Sequence, residues 1–123
     1  MALPAAVLKG IAEFNRCEFF EAHETLEDVW AGENGLLRTF YQGMIQIAVA
    51  CCHVQRGNRE GASHLFAKGV SKVREAAAAC PEIDSAGLLA QVERCEAEAR
   101  RLGPGRQAEL DPLLFPVIRV LPA

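Results

Sequence analysis

The chain has no apolar run approaching the roughly 20 residues a membrane span requires, and no run of lysines and arginines. The first absence argues against a transmembrane helix; the second removes the basic face of a general nucleic-acid binder. No C-x-x-C, Gly-rich phosphate loop or nucleophile motif occurs either, so no cofactor and no metal centre are expected. Aromatics are few, with one Trp and one Tyr among 123 residues. The five cysteines, Cys17, Cys51, Cys52, Cys80 and Cys95, are odd in number and follow no evident leader segment. That combination predicts free thiols acting as small buried hydrophobes in a reducing, cytoplasmic setting.

Half the residues are hydrophobic, 24% are charged, and the formal net charge is −3. Such a composition suits one globular domain, here residues 1–123, with a proper core. Arg94, Arg100, Arg101 and Arg106 are interleaved with Glu93, Glu96, Glu98 and Glu109, the pattern of a solvated helix face.

The punctuation predicts an all-α bundle of about five helices built from antiparallel helical hairpins. Pro4 suits a first turn, and Val7, Leu8, Ile11 and Phe14 recur at helical spacing to about residue 14. Asn15 and Glu18 resemble a capping box opening a second helix, which should run to Ala31 and stop at Gly32. A third helix is expected over Leu36–Arg56, terminated by Gly57, with Asn58 capping the fourth. Pro81 ends the fourth; Asp84 or Ser85 should cap a fifth, stopped by Gly103-Pro104-Gly105. Pro112, Pro116 and Pro122 exclude a regular helix in the C-terminal tail, which should lie extended over a hydrophobic groove. Asn15 and Asn58 also form a weak internal echo, each read as a loop asparagine capping a helix.

Within the second helix, Glu18–Trp30 places polar groups where the pattern is greasy. At about 100° per residue, Phe19, Ala22, Leu26, Val29 and Trp30 share an apolar arc, with Phe20 and Ala31 at its other edge. His23 and Glu27 fall inside that arc, whereas Glu18, Glu21, Thr25 and Asp28 occupy the opposite face. Two ionisable groups so placed need partners, since unpaired buried charge is costly. A small buried polar site is therefore expected.

The third helix is apolar nearly all round, with Gln42, Gln46 and His53 on one narrow stripe flanked by Arg38, Thr39 and Arg56. Either that stripe is the solvent face, or it meets the second helix across the short 32–35 turn. In the second arrangement Arg38 and Gln42 stand level with Glu27 and His23, and Gln46 with Phe20. His53 then falls about 15 Å from His23 at 1.5 Å per residue, too far for one metal ion to hold both. The string His23-Glu24-x-x-Glu27 lacks the second histidine of a zincin. What remains is a candidate cluster of His23, Glu27, Arg38, Gln42 and Gln46, with Trp30 and Tyr41 as aromatic walls and Glu24, His53 and Arg56 as secondary candidates. A purely structural network, with Glu27 on Arg38 and a glutamine on His23, accounts for the same residues.

Three blocks, E-F-F-E-A-H-E-T-L-E-D-V-W, R-T-F-Y-Q-G-M-I-Q-I-A-V-A and H-V-Q-R-G-N-R-E-G-A, resemble a small prokaryotic family catalogued as domain of unknown function 309. They cover Asn15 to about Ala62, and Met44 stands where the family usually has leucine. The resemblance implies a compact all-α fold in a prokaryotic cytoplasmic protein, and no activity. Its recurring polar pattern falls on Glu18, His23, Glu24, Glu27, Arg38, Gln42, Gln46, His53, Arg56, Gly57 and Asn58.

The leading functional expectation is a binding or interaction module whose groove takes a protein segment or small ligand, with the Leu113–Leu121 tail as a cis occupant. Neither nucleic acid nor membrane is an expected partner; a homodimer is compatible. The alternatives are a small enzyme with His23 as general acid or base beside Glu27 and Arg38, and a carboxylate/His metal site at His23, Glu24 and Glu27.

Overall fold

Apolar stripes at helical spacing, punctuated by Gly, Pro and Asn, leave each helix one face to bury, and successive helices satisfy one another. The computed structural model describes residues 3–103 and 105–122. Among them lie five α-helices: α1 (Ala5–Asn15), α2 (Phe19–Ala31), α3 (Gly35–Gln55), α4 (Arg59–Ala76) and α5 (Ser85–Leu102). Short 3₁₀ turns occupy Ala77–Ala79, Gln107–Glu109 and Pro112–Leu114. The all-α expectation holds. Of the predicted stop at residues 103–105, Gly103 takes φ 82° and Gly105 φ 78°, whereas Pro104 lies outside the described residues.

α3 is the central element, buried along most of its length from Phe40 to Val54. It packs on α2 at one side and on α4 at the other. The α3–α4 approach is set by two glycines. A Cβ on Gly43 would lie 2.8 Å from Val73 Cγ2 and 3.0 Å from the Gly69 carbonyl oxygen. One on Gly69 would lie 2.7 Å from Ile47 Cγ1 and 2.9 Å from the Gly43 carbonyl oxygen. Only glycine allows the two backbones that close. Gly43 thus admits a neighbouring backbone, that of α4.

The cap chemistry of α4 and α5 follows the sequence. Asn58 Oδ1 accepts from the Gly61 amide at 3.1 Å, and Asp84 Oδ1 from the Gly87 amide at 2.9 Å. Gly57 takes φ 74° between α3 and α4. The first hairpin departs from expectation. Asn15 ends α1 rather than capping α2, whose N-cap Glu18 makes no side-chain cap bond. Glu18 instead pairs with Arg16 at 2.9 Å. Asn15 turns to the tail, exchanging two hydrogen bonds with the Ile118 main chain. The echo between Asn15 and Asn58 therefore stops at sequence.

The tail from Phe115 onward is extended, with Phe115 and Ile118 buried. Phe14, Phe19 and Phe115 form an aromatic chain with ring centroids 5.0 and 5.1 Å apart, joining the α1–α2 turn to the tail. Each such buried side chain contributes about 1.5–3 kcal/mol. All five cysteines are free, and four are buried. Burial pushes the Cys80 and Cys95 thiols up to about 12 and Cys51 well above its ordinary value. A thiol so disfavoured as thiolate behaves as an inert small hydrophobe.

Candidate functional site

Phe20, His23, Glu27 and Trp30 follow one another along a stripe of α2. They lie at the edge of the buried arc rather than inside it. Phe19, Ala22 and Leu26 are the buried positions of α2, so the arc ends before His23 at about 100° per residue. Phe20 is 48% exposed. The side chains of His23 and Glu27 are 22% and 51% exposed. The expected burial of this pair is corrected: α2 needs only one narrow face for α1 and α3, and Glu27 stands in solvent.

His23 Nε2 lies 3.0 Å from Glu27 Oε1, an i,i+4 pair on one helix. His23 Nδ1 lies 2.8 Å from the Phe20 carbonyl oxygen. Both ring nitrogens thus face oxygen atoms. The Phe20 ring meets His23 edge-on at 5.2 Å. A pair this exposed contributes about 0–1 kcal/mol.

Arg38 does not join Glu27. Its guanidinium carbon lies 4.0 Å over the Trp30 ring, and Nε donates to the Trp30 carbonyl oxygen at 3.4 Å. The stack places a cation at the C-terminal turn of α2, where the helix dipole favours positive charge and the Trp30 carbonyl also accepts from the Glu33 amide at 3.1 Å. The expected Glu27–Arg38 pair is thereby replaced by Arg38 on Trp30 and Glu27 on His23.

Between α2 and α3, Glu27, Trp30, Gln42, Ile45 and Gln46 line an open cleft of about 210 Å³. The glutamine stripe therefore faces α2 across a solvent-open seam, combining the two arrangements the sequence allowed. Trp30 Nε1 and Gln46 Oε1 are shielded from solvent and have no hydrogen-bond partner among the described residues. Ile45, one turn from Gln42, adds an apolar side to the lining.

The remaining candidates lie elsewhere. Tyr41 is buried in the core and forms no wall of the cleft; burial pushes its phenol up to about 12. Glu24 is exposed on α2, and Arg56 is exposed at the end of α3. His53 locks the α3–α4 turn. Asn58 Oδ1 accepts from Gly61, so its Nδ2 donates to His53 Nδ1 at 3.1 Å. The Asn58 amide donates to the His53 carbonyl at 2.8 Å. Among the described residues, no group of three or more His, Cys, Asp or Glu is placed to hold a metal ion. Among the described residues, no helix is long and apolar enough to cross a membrane.

Residues 7–65 match the family described as a domain of unknown function (DUF309). Over 69 residues the chain is 36% identical to the uncharacterized protein YpuF of Bacillus subtilis (strain 168). That stretch covers 54% of this chain and 40% of YpuF, so less than half of the relative is represented. No solved structure matches the chain. All five cleft-lining residues lie within the matched segment, whereas α5 and the tail lie beyond it.

Proposed function

We propose that this chain, a DUF309 family member over residues 7–65, is a binding module whose working surface is the α2–α3 cleft. One observation carries the reading: Trp30 Nε1 and Gln46 Oε1 are shielded and unpartnered there. A buried polar atom without a partner costs about 1–3 kcal/mol. A ligand presenting an acceptor to the indole and a donor to the amide recovers that cost on binding.

Size favours a protein segment over a free metabolite. Small-molecule sites enclose roughly 300–1,000 Å³, and this cleft offers about 210 Å³. It has room for one inserted side chain, with Glu27 and His23 at the rim. The acid–base reading gains less support, because His23 is engaged by Glu27 and by its own helix while Arg38 lies on Trp30. Those three groups do not converge on a common point.

Gln46→Leu tests the reading by thermal denaturation. Removing an unpaired polar atom of similar shape should leave stability unchanged or raise it by up to about 1 kcal/mol. A loss above about 1 kcal/mol would mean that Gln46 serves the fold, and the proposal would fall.

A further inference from the structure

A small cavity of about 60 Å³ lies where the end of α3, the first half of α4, α5 and the 107–109 turn meet. It shares no residue with the α2–α3 cleft. Val54, Ala62, Phe66 and Ala99 give it a buried, apolar lining. Gln107 lines it too and is 3% exposed; no other residue with a charged or amide side chain is buried among the described ones. An amide held so deeply needs partners at both ends. Its Nε2 donates to the Ala99 carbonyl at 3.2 Å, which fixes the amide with Oε1 on the other side. Gln107 Oε1 is shielded from solvent and has no hydrogen-bond partner among the described residues. The cavity wall thus carries an unused acceptor, which calls for a donor.

Polar side chains complete the lining: Arg59 and Ser63 from α4, Glu96 and Arg100 from α5. Arg100 Nη2 lies 3.5 Å from Glu96 Oε2, beyond the about 2.7–2.9 Å of a charge-assisted hydrogen bond. Arg59 and Arg100 are exposed, whereas Glu96 is half-buried, and burial pushes its carboxyl up. Glu96 and Arg100 also line a trough of about 470 Å³ that continues along α4 and α5, with Val70, Leu89 and Val92 as its apolar side. Cavity and trough together reach the roughly 300–1,000 Å³ of small-molecule sites. The charges restrict what can occupy them. A simple anion meets the Glu96 carboxylate and the Gln107 oxygen; a simple cation meets two arginines. A ligand carrying both charges offers each group its opposite.

We propose that the cavity and the adjoining trough bind a free α-amino acid with an apolar side chain. The ammonium enters the cavity and donates to Gln107 Oε1 and the Glu96 carboxylate. The carboxylate stays at the rim with Arg59 and Arg100, where the Ser63 hydroxyl is a further donor. The side chain extends along the trough over Val70 and Leu89. Arg59 and Ser63 fall within the family match, whereas Glu96, Arg100 and Gln107 lie beyond it, so the α5 half of the site lies outside the family segment.

The test follows the Gln107 side-chain amide and the Ser63 backbone amide of the full chain by NMR while L-leucine is added. Both should shift saturably, with half-saturation at or below about 1 mM. Isocaproate, which lacks the ammonium, and isoamylamine, which lacks the carboxylate, should each bind at least about tenfold more weakly. Glu96→Gln and Arg100→Gln, conservative changes at the rim, should each weaken leucine binding about tenfold and leave the circular dichroism melting curve in place. Should a variant fail to fold, the comparison of leucine with its two analogues on the unmodified chain decides alone. Unchanged Gln107 resonances at about 20 mM L-leucine would leave the cavity to water and overturn the proposal. Equal binding of either analogue would reduce the site to a single-charge contact and overturn it as well.

Discussion

Two of the places where this molecule presents carboxamides to an opening stand in opposite states. At the α1–α5 groove, Asn15 and Gln91 each use both ends of the amide on a seated segment. At the α2–α3 cleft, Gln46 Oε1 and the indole N–H of Trp30 have no hydrogen-bond partner among the described residues. The groove shows what a satisfied amide looks like in this protein, and the cleft shows an unsatisfied one. The satisfied site also buries Phe115 and Ile118. Its occupant therefore belongs to the stability of the fold.

The largest expected effect lies in neither opening and calibrates both. Burial pushes Cys80 and Cys95 from an ordinary 9.0 to about 12, and Tyr41 from 10.0 to about 12. The folded protein holds these protons after the unfolded chain has released them. Their contribution is complete below about pH 9 and is lost as pH rises toward 12, at up to about 1.4 kcal/mol per pH unit for each group. Urea midpoints across that range should fall steeply in every variant below, since none replaces these groups; a flat profile would contradict the burial.

Next comes Ile118→Asp, which puts a charge in the apolar seat. A loss of about 3 kcal/mol in chemical denaturation is expected; a loss below 1 kcal/mol would show that the tail adds little to the fold. Asn15→Ala should cost about 1–2 kcal/mol by removing both bonds to Ile118. Set beside the neutral or favourable Gln46→Leu, it measures the difference between a filled and an unfilled amide directly. Equal losses from the two changes would erase the contrast. The smallest effect belongs to Glu27→Gln. Its pair with His23 is half in solvent, so thermal stability should move by less than about 0.5 kcal/mol.

Much of the fold was legible because its signals are local. Pro4, Gly32, Gly57, Asn58 and Asp84 act on the backbone within a few residues, and the helix limits follow them; α4 instead ends at Ala76 and tightens into a 3₁₀ turn before Pro81. The groups of the cleft were legible in part. The spacing of Gln42 and Gln46 put them opposite α2, but the width of the α2 buried arc was not encoded locally. Phe20 suggested a wider arc, and only packing against α1 and α3 shows that it ends before His23. Partner choice was the least legible. Asn15 has the right spacing for a capping box with Glu18, yet its bonds go to a residue 103 positions away. Arg38 had a carboxylate within reach by register and went to an aromatic face. Both choices are settled by competition among tertiary neighbours, which helical periodicity does not record.

The distribution of the thiols has a practical consequence. Cys51 lies in α3, Cys80 ahead of α5 and Cys95 within α5, all three buried, whereas Cys17 between α1 and α2 is partly open. Alkylation of the first three must wait for their segments to open, so each modification rate reports a local opening equilibrium. Mass spectrometry of a timed labelling reaction would then resolve which helix loosens first, without introducing a probe. The native sequence already carries its own set of clocks for fluctuation.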